Sequence, residues 1–215
     1  MTKNSNSLFM YPKERHIRRL SPPKYSRYRS YKISLQEEFY CRCVYCTLPD
    51  VLKGHEAFGV DHYRPRSKFP GLEVEYTNLF YSCNICNSMK RDFWPSKEQL
   101  VKKHFIPNPC DHVMHGHLKI VGAEIIAKDI TGKFTIDVLD LNEAKSVEYR
   151  KTLIAIYNSI ITEVKEVERK KKIFLSKIKK CTDDATKNDL SKKTELIDKN
   201  LAKLHQLQAR MIGPM

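Results

Sequence analysis

The chain has 215 residues, an apolar fraction of 41% and a formal net charge of +14, with 39 Lys and Arg against 25 Asp and Glu. That length buries roughly 70% of the unfolded surface without cross-links, and the charge favours a polyanionic partner over an acidic small molecule. No run approaches the ~18 apolar residues of a membrane span, and residues 1–30 lack an apolar signal core, so no membrane association and a cytoplasmic location are expected.

Residues 11–32 carry eight Lys and Arg and one Glu, half of the excess charge. Pro22-Pro23 divides the segment, and Tyr25, Tyr28 and Tyr31 then recur every third residue. Two uses stay open: an arm gripping phosphates with tyrosines stacking on bases, or a packed aromatic face with solvated arginines. The run ISLQEEFY predicts a helix leading into Cys41.

Next come Cys43-Val44-Tyr45-Cys46 and, after 36 intervening residues, Cys83-Asn84-Ile85-Cys86. Seven cysteines in a chain without a secretion signal do not read as a disulfide framework. Two C-x-x-C turns supply four thiolates for a tetrahedral Zn²⁺, and the long interval requires a folded insert between them. A dithiol–disulfide pair is the competing reading, but it needs one pair beside a βαβ pattern. A closed four-sulfur site leaves no position for substrate, so its role is stability, on the order of 10 kcal/mol of metal binding.

The insert is broken by Gly59, Pro65 and Pro70-Gly71 and predicts short strands. It holds FGVDHYRPRSKFPG, where Asp61-His62 follows an apolar run and Arg64, Arg66 and Lys68 alternate behind it. Neutral imidazole accepts a proton near pH 7, carboxylate binds Mg²⁺, and guanidinium binds phosphate. Those are the ingredients for breaking a phosphodiester. Further on, Trp94 reads as a core plug, and Cys110, His112, His115 and His117 have spacings that fit neither a helix face nor a knuckle.

Residues 118–141 predict strands joined by a Thr131-Gly132-Lys133 turn, a hairpin closing onto the preceding part. Asn142 suits a helix N-cap with Glu143 in the first turn, which sets the boundary between 1–142 and 143–215. Beyond it Leu153, Tyr157, Ile160, Val164 and Val167 keep steps of 4 and 3, Lys171 falls out of type, and Phe174 and Ile178 resume. Leu190, Thr194, Ile197, Leu201, Leu204 and Met211 repeat the rhythm after a polar break at 181–188. Two helices follow, either as an antiparallel hairpin or packed on the rest, and the Lys-rich run at 168–180 reads as a solvated face.

Taken in order, the cysteine knuckles, Asp61-His62-x-x-Pro, Asn78-Leu79 and Cys86-Asn87-x-x-Lys90 resemble the HNH nucleases in an H-N-N variant. The resemblance covers about residues 40–95. It implies a zinc-stapled ββα-metal core, which with the hairpin and the C-terminal helical pair read above makes an α+β fold. It also implies DNA cleavage in which His62 deprotonates water, Asp61 and Asn87 hold a catalytic Mg²⁺ or Mn²⁺, and Asn78 orients the histidine loop. Lys90 and Arg91, with Arg64 and Arg66, would grip phosphates, and Lys90 and Arg91 would share with Asn87 a helix face directed at His62. Asp61-His62-x-Arg64-Pro65-x-Ser67, Tyr76-x-Asn78-Leu79, the downstream FIPNPC at 105–110, Thr131-x-x-x-x-Ile136-x-x-Leu139-Asp140-Leu141-Asn142 and Arg150 carry a finer likeness, to the HNH subunits of Septu-type and retron-linked anti-phage modules, which implies an ATPase partner of the ABC/SMC type and a docking role for 143–215. The alternatives are an inactive zinc-stabilised nucleic-acid-binding module and an RNA- or tRNA-cleaving nuclease.

Overall fold

A computed structural model describes residues 8–212, which fall into two compact units, 8–151 and 152–212. In the first unit the chain enters with Leu8, Phe9 and Tyr11 buried, and the Tyr11 hydroxyl donates to the Tyr45 carbonyl at 2.8 Å. Arg18 is consumed internally: it pairs with Glu38 at 2.8 Å and donates to the Tyr76 and Leu79 carbonyls. Its guanidinium also lies 4.8 Å from the Tyr76 ring centre, so this half of the basic segment is an anchor. Helix α1 (Lys32–Glu38) follows and presents Leu35 to the core.

Strand β1 (Phe58–His62) pairs antiparallel with β2 (Leu79–Cys83), in a register that sets Phe58 opposite Cys83 and His62 opposite Leu79. Every residue of β2 is buried, and Phe58 stacks on Tyr81 with ring centres 5.0 Å apart. Helix α2 (Asn84–Lys90) starts at once, capped by the Cys83 sulfur, which accepts from the Cys86 N–H. It stops where Arg91 turns to φ 48°. Strand, strand and helix therefore leave the second knuckle at the joint between β2 and α2.

Helices α3 (Lys97–Val101) and α4 (Met114–His117) lead to a second hairpin of β3 (Leu118–Val121) and β4 (Glu124–Ala127). The expected turn at Thr131-Gly132-Lys133 is instead inside helix α5 (Ile130–Leu139). Asp129 causes this by accepting from the Gly132 N–H at 2.7 Å, and a Cβ at Gly132 would meet the His117 carbonyl oxygen at 2.0 Å. Glycine there allows helix and backbone to approach. Asn142 also departs from the expected cap: its amide exchanges hydrogen bonds with the main chain of Ile125 at 2.9 and 2.7 Å. The Glu143 carboxylate takes the capping role by accepting from Ser146 N–H, and α6 (Ala144–Lys180) begins there.

In the second unit the later part of α6 and all of α7 (Asp184–Ile212) form a helical pair in which Val164, Thr194 and Leu201 are buried. Lys171, out of type in the apolar rhythm, pairs with Asp198 at 2.5 Å between the two helices. The break is shorter than the sequence suggests, spanning 181–183, and the Asp183 carboxylate accepts from Thr186 N–H to start α7. No helix among the described residues is long and apolar enough to cross a membrane.

Candidate active site

Cys43, Cys46, Cys83 and Cys86 are all buried and none is disulfide-bonded, and their sulfurs lie within 4.8 Å of one another. Cys46 and Cys83 are 3.8 Å apart, the edge of a tetrahedron with bonds of about 2.3 Å to a central zinc. Burial pushes the Cys43 thiol up, and hydrogen bonds within the cluster push Cys86 up while holding Cys83 down. Burial and mutual repulsion keep such thiols from ionising together without a cation, and a four-sulfur donor set suits zinc better than a hard ion. Among the described residues this is the one such grouping of three or more Cys, His, Asp or Glu side chains. His112 and His117 come within 5.4 Å of each other, but His117 pairs with the Asp129 carboxylate at 2.7 Å as part of the α5 start.

Four residues shape the end of β1. The His62 Nε2 lies 2.9 Å from the Glu73 carbonyl oxygen. A carbonyl only accepts, so in neutral imidazole Nε2 carries the proton and Nδ1 keeps the free lone pair. Tyr28 covers the ring edge-on at 4.7 Å between centres. Asn78, buried, accepts from the Arg64 N–H and donates to the Arg64 and Leu72 carbonyls, which ties the loop after His62 to the loop carrying Glu73.

Asp61 is 3% exposed and shared between two donors: the Tyr45 hydroxyl at 2.5 Å and the Lys90 ammonium at 3.1 Å. Burial pushes the Tyr45 phenol up, with Asp61 adding to the shift, so the phenol stays a donor. Lys90 is 2% exposed and also donates to the His62 carbonyl at 2.6 Å. That placement corrects the expectation that Lys90 grips phosphate: its charge is spent inside the protein. Asn87 packs over Gly59, where an added Cβ would stand 3.8 Å from its amide nitrogen. Gly59 and Asp61 share a face of β1 because strand side chains alternate. Thus α2 meets Asp61 and the main chain of His62 and not the imidazole, contrary to the shared face expected. Arg91 is exposed.

Lys90→Met is expected to destabilise the fold by about 3–5 kcal/mol in urea denaturation, because it strands a buried carboxylate. Adding Asp61→Asn should recover much of that loss. A single-variant cost near that of a surface substitution would show that the pair is not buried in solution.

Arg64 lies over the rings of Trp94 and Phe69 at 5.5 and 5.9 Å, while Arg66 pairs loosely with Glu73 at 3.4 Å. Trp94 meets Tyr63 and Phe69 edge to face. Sequence reasoning missed Tyr45 and Glu73, and it singled out Tyr28 by spacing without placing it on His62. Only Tyr45 offered a signal, as an aromatic inside a metal knuckle adjoining the Asp-His strand. Glu73 acts through a main-chain carbonyl, which no residue type betrays.

Comparison with known proteins adds two matches. Residues 43–93 match the family model of the HNH endonuclease domain. Over 125 residues the chain is 34% identical to the Septu protein PtuB of Bacillus thuringiensis, an alignment covering 57% of this chain and 45% of that protein. The chain thus spans under half the length of that relative. No solved structure matches.

Proposed function

We propose that the HNH endonuclease domain at residues 43–93 hydrolyses phosphodiester bonds in DNA, with His62 as the general base, as the nuclease effector of an anti-phage defence system. The observation that carries the base assignment is the Glu73 carbonyl on Nε2, which leaves Nδ1 ready to take a proton from water. Asn78 keeps that geometry by bridging the two loops.

The donors around Lys90 are hard oxygens, the Asp61 carboxylate and the His62 carbonyl, and an ammonium is held there in the way a cation would be. With the Asn87 amide nearby, that chemistry fits a Mg²⁺ or Mn²⁺ completed by substrate phosphate and water. Asp61 and Asn87 would hold it, and it would supply charge stabilisation at the phosphate and the leaving 3′ oxygen. Lys90 must release Asp61 for that carboxylate to serve. Arg64, Arg66 and Arg91 remain as phosphate contacts in this reading.

Supercoiled plasmid and tRNA incubated with the zinc-loaded protein, with Mg²⁺ or with no added divalent ion, test the reading. Plasmid nicking that needs Mg²⁺ supports DNA hydrolysis. Cleavage of tRNA alone moves the substrate to RNA, and binding without cleavage of either leaves a zinc-stabilised binding module. The chain acts in the cytoplasm and residues 143–215 dock an ATPase of the ABC/SMC type, a proposal supported by the likeness to a Septu protein. Deleting 152–215 keeps Arg150, which donates to the Ala123 and Leu141 carbonyls within the first unit. That truncation should lose co-purification with a co-expressed ATPase of this type, and retained co-purification would refute a docking role for 152–215.

A further inference from the structure

We propose that an open groove between residues 26–30 and the Arg66–Val74 loop binds the sugar-phosphate backbone of the substrate beside His62, with Arg27 and Arg29 as its phosphate contacts. The inference rests on the nuclease reading and names where its substrate lies.

Place is the first argument. The groove measures about 600 Å³, and two residues that line it, Tyr28 and Glu73, are the same two that touch the His62 imidazole. A strand lying in it would therefore pass the candidate base.

Charge is the second. Arg27, Arg29 and Arg66 line the groove against a single carboxylate, Glu73. The Arg66–Glu73 pair is long, at 3.4 Å, with both side chains about half exposed, so phosphate exchanges with the carboxylate at little cost. Among the described residues neither Arg27 nor Arg29 has an ion-pair partner. Arg29 only donates to the Tyr28 hydroxyl at 3.3 Å, and the Tyr28 ring has the Arg29 and Arg66 guanidinium groups each at 5.7 Å. Earlier in the same segment, Arg18 and Arg19 are neutralised by Glu38 and Glu37. Within the basic segment Arg18 and Arg19 are thus paired with carboxylates, whereas Arg27 and Arg29 are not.

Rigidity is the third. Arg29 sits in a 3₁₀ turn, Tyr28–Tyr31, held by buried Tyr31, whose hydroxyl accepts from the Tyr25 N–H at 3.0 Å. Guanidinium groups carried on an anchored turn lose less freedom on binding and suit bidentate phosphate contact.

The test uses the full chain with its zinc in place and no added Mg²⁺ or Mn²⁺, so that nothing is cleaved, with fluorescein-labelled duplex DNA and a matching RNA duplex. Dissociation constants are read by anisotropy from about 50 to 200 mM KCl. Arg27→Ala/Arg29→Ala is compared with wild type and with Lys97→Ala/Lys119→Ala, which removes equal charge from exposed positions away from the groove. Circular dichroism checks that all three fold alike. The arginine variant should lower the slope of log affinity against log salt on DNA by about 1.8, or about 0.9 for each lost phosphate contact, while the lysine variant keeps the wild-type slope. The duplex bound more tightly by wild type identifies the source of the backbone. Equal slopes for wild type and the arginine variant, in a protein that nicks plasmid with Mg²⁺, overturn the groove and leave the nuclease reading standing. Wild type that binds neither duplex overturns both.

Discussion

His62→Ala is expected to reduce plasmid cleavage by a factor on the order of 10²–10⁴, the usual worth of a positioned general base, while zinc content stays at the wild-type level and the fold is retained with a modest loss of stability. The imidazole is half-buried at the end of β1, where its contacts are the Glu73 carbonyl and the Tyr28 ring. Truncation removes one hydrogen bond and one edge-on ring contact, which together contribute on the order of 1–3 kcal/mol. The main-chain contact from Lys90 to the His62 carbonyl and the ladder to Leu79 survive the change. Activity and stability should therefore separate. If the variant cleaves at the wild-type rate, the base is another group and the Nδ1 argument fails.

Cys46→Ser is expected to do the reverse, with fold and metal lost together. Zinc binding at such a site is worth on the order of 10 kcal/mol, comparable with the whole 5–15 kcal/mol stability of a domain. The connections explain why the damage should spread. Cys83 caps α2 and pairs with Phe58 across the hairpin, so the second knuckle is tied through β2 to the strand bearing Asp61 and His62. Tyr45 lies inside the first knuckle and donates to Asp61, so that knuckle grips the same strand from the other side. Inductively coupled plasma mass spectrometry should find one zinc per wild-type chain and none in the variant, whose far-ultraviolet circular dichroism should show lost structure. A folded, zinc-free variant would remove the metal from the account of stability.

The parts legible in the sequence were those written in side-chain type at short range. Paired C-x-x-C turns announced a metal cluster, and the four sulfurs do converge. The apolar rhythm from Leu153 to Met211 announced a helical pair, and even its irregular member, Lys171, has a reason in Asp198. What failed involved depth or partners remote in sequence. The spacing of Asn87 and Lys90 fixes a common side of a helix, but not that the lysine ends under the sheet against a carboxylate 29 positions earlier. Thr131-Gly132-Lys133 resembles a turn by composition, yet the same glycine serves a helix packed against the His117 carbonyl. Tyr28 reaches His62 from 34 positions upstream in a segment whose composition suggested charge before packing. Of the two readings of that segment, the packed aromatic face with solvated arginines is the one these residues display, since Tyr31 is buried while Arg27 and Arg29 have no acidic partner among the described residues.

The most direct measurement is the ¹⁵N chemical shift pair of the His62 ring, assigned by comparison with His62→Ala at a pH where the imidazole is neutral. A protonated Nε2 and an unprotonated, pyridine-like Nδ1 are the result expected from the bond to the Glu73 carbonyl. The opposite tautomer, with the proton on Nδ1, would contradict the proposal that this histidine is held ready to take a proton from water.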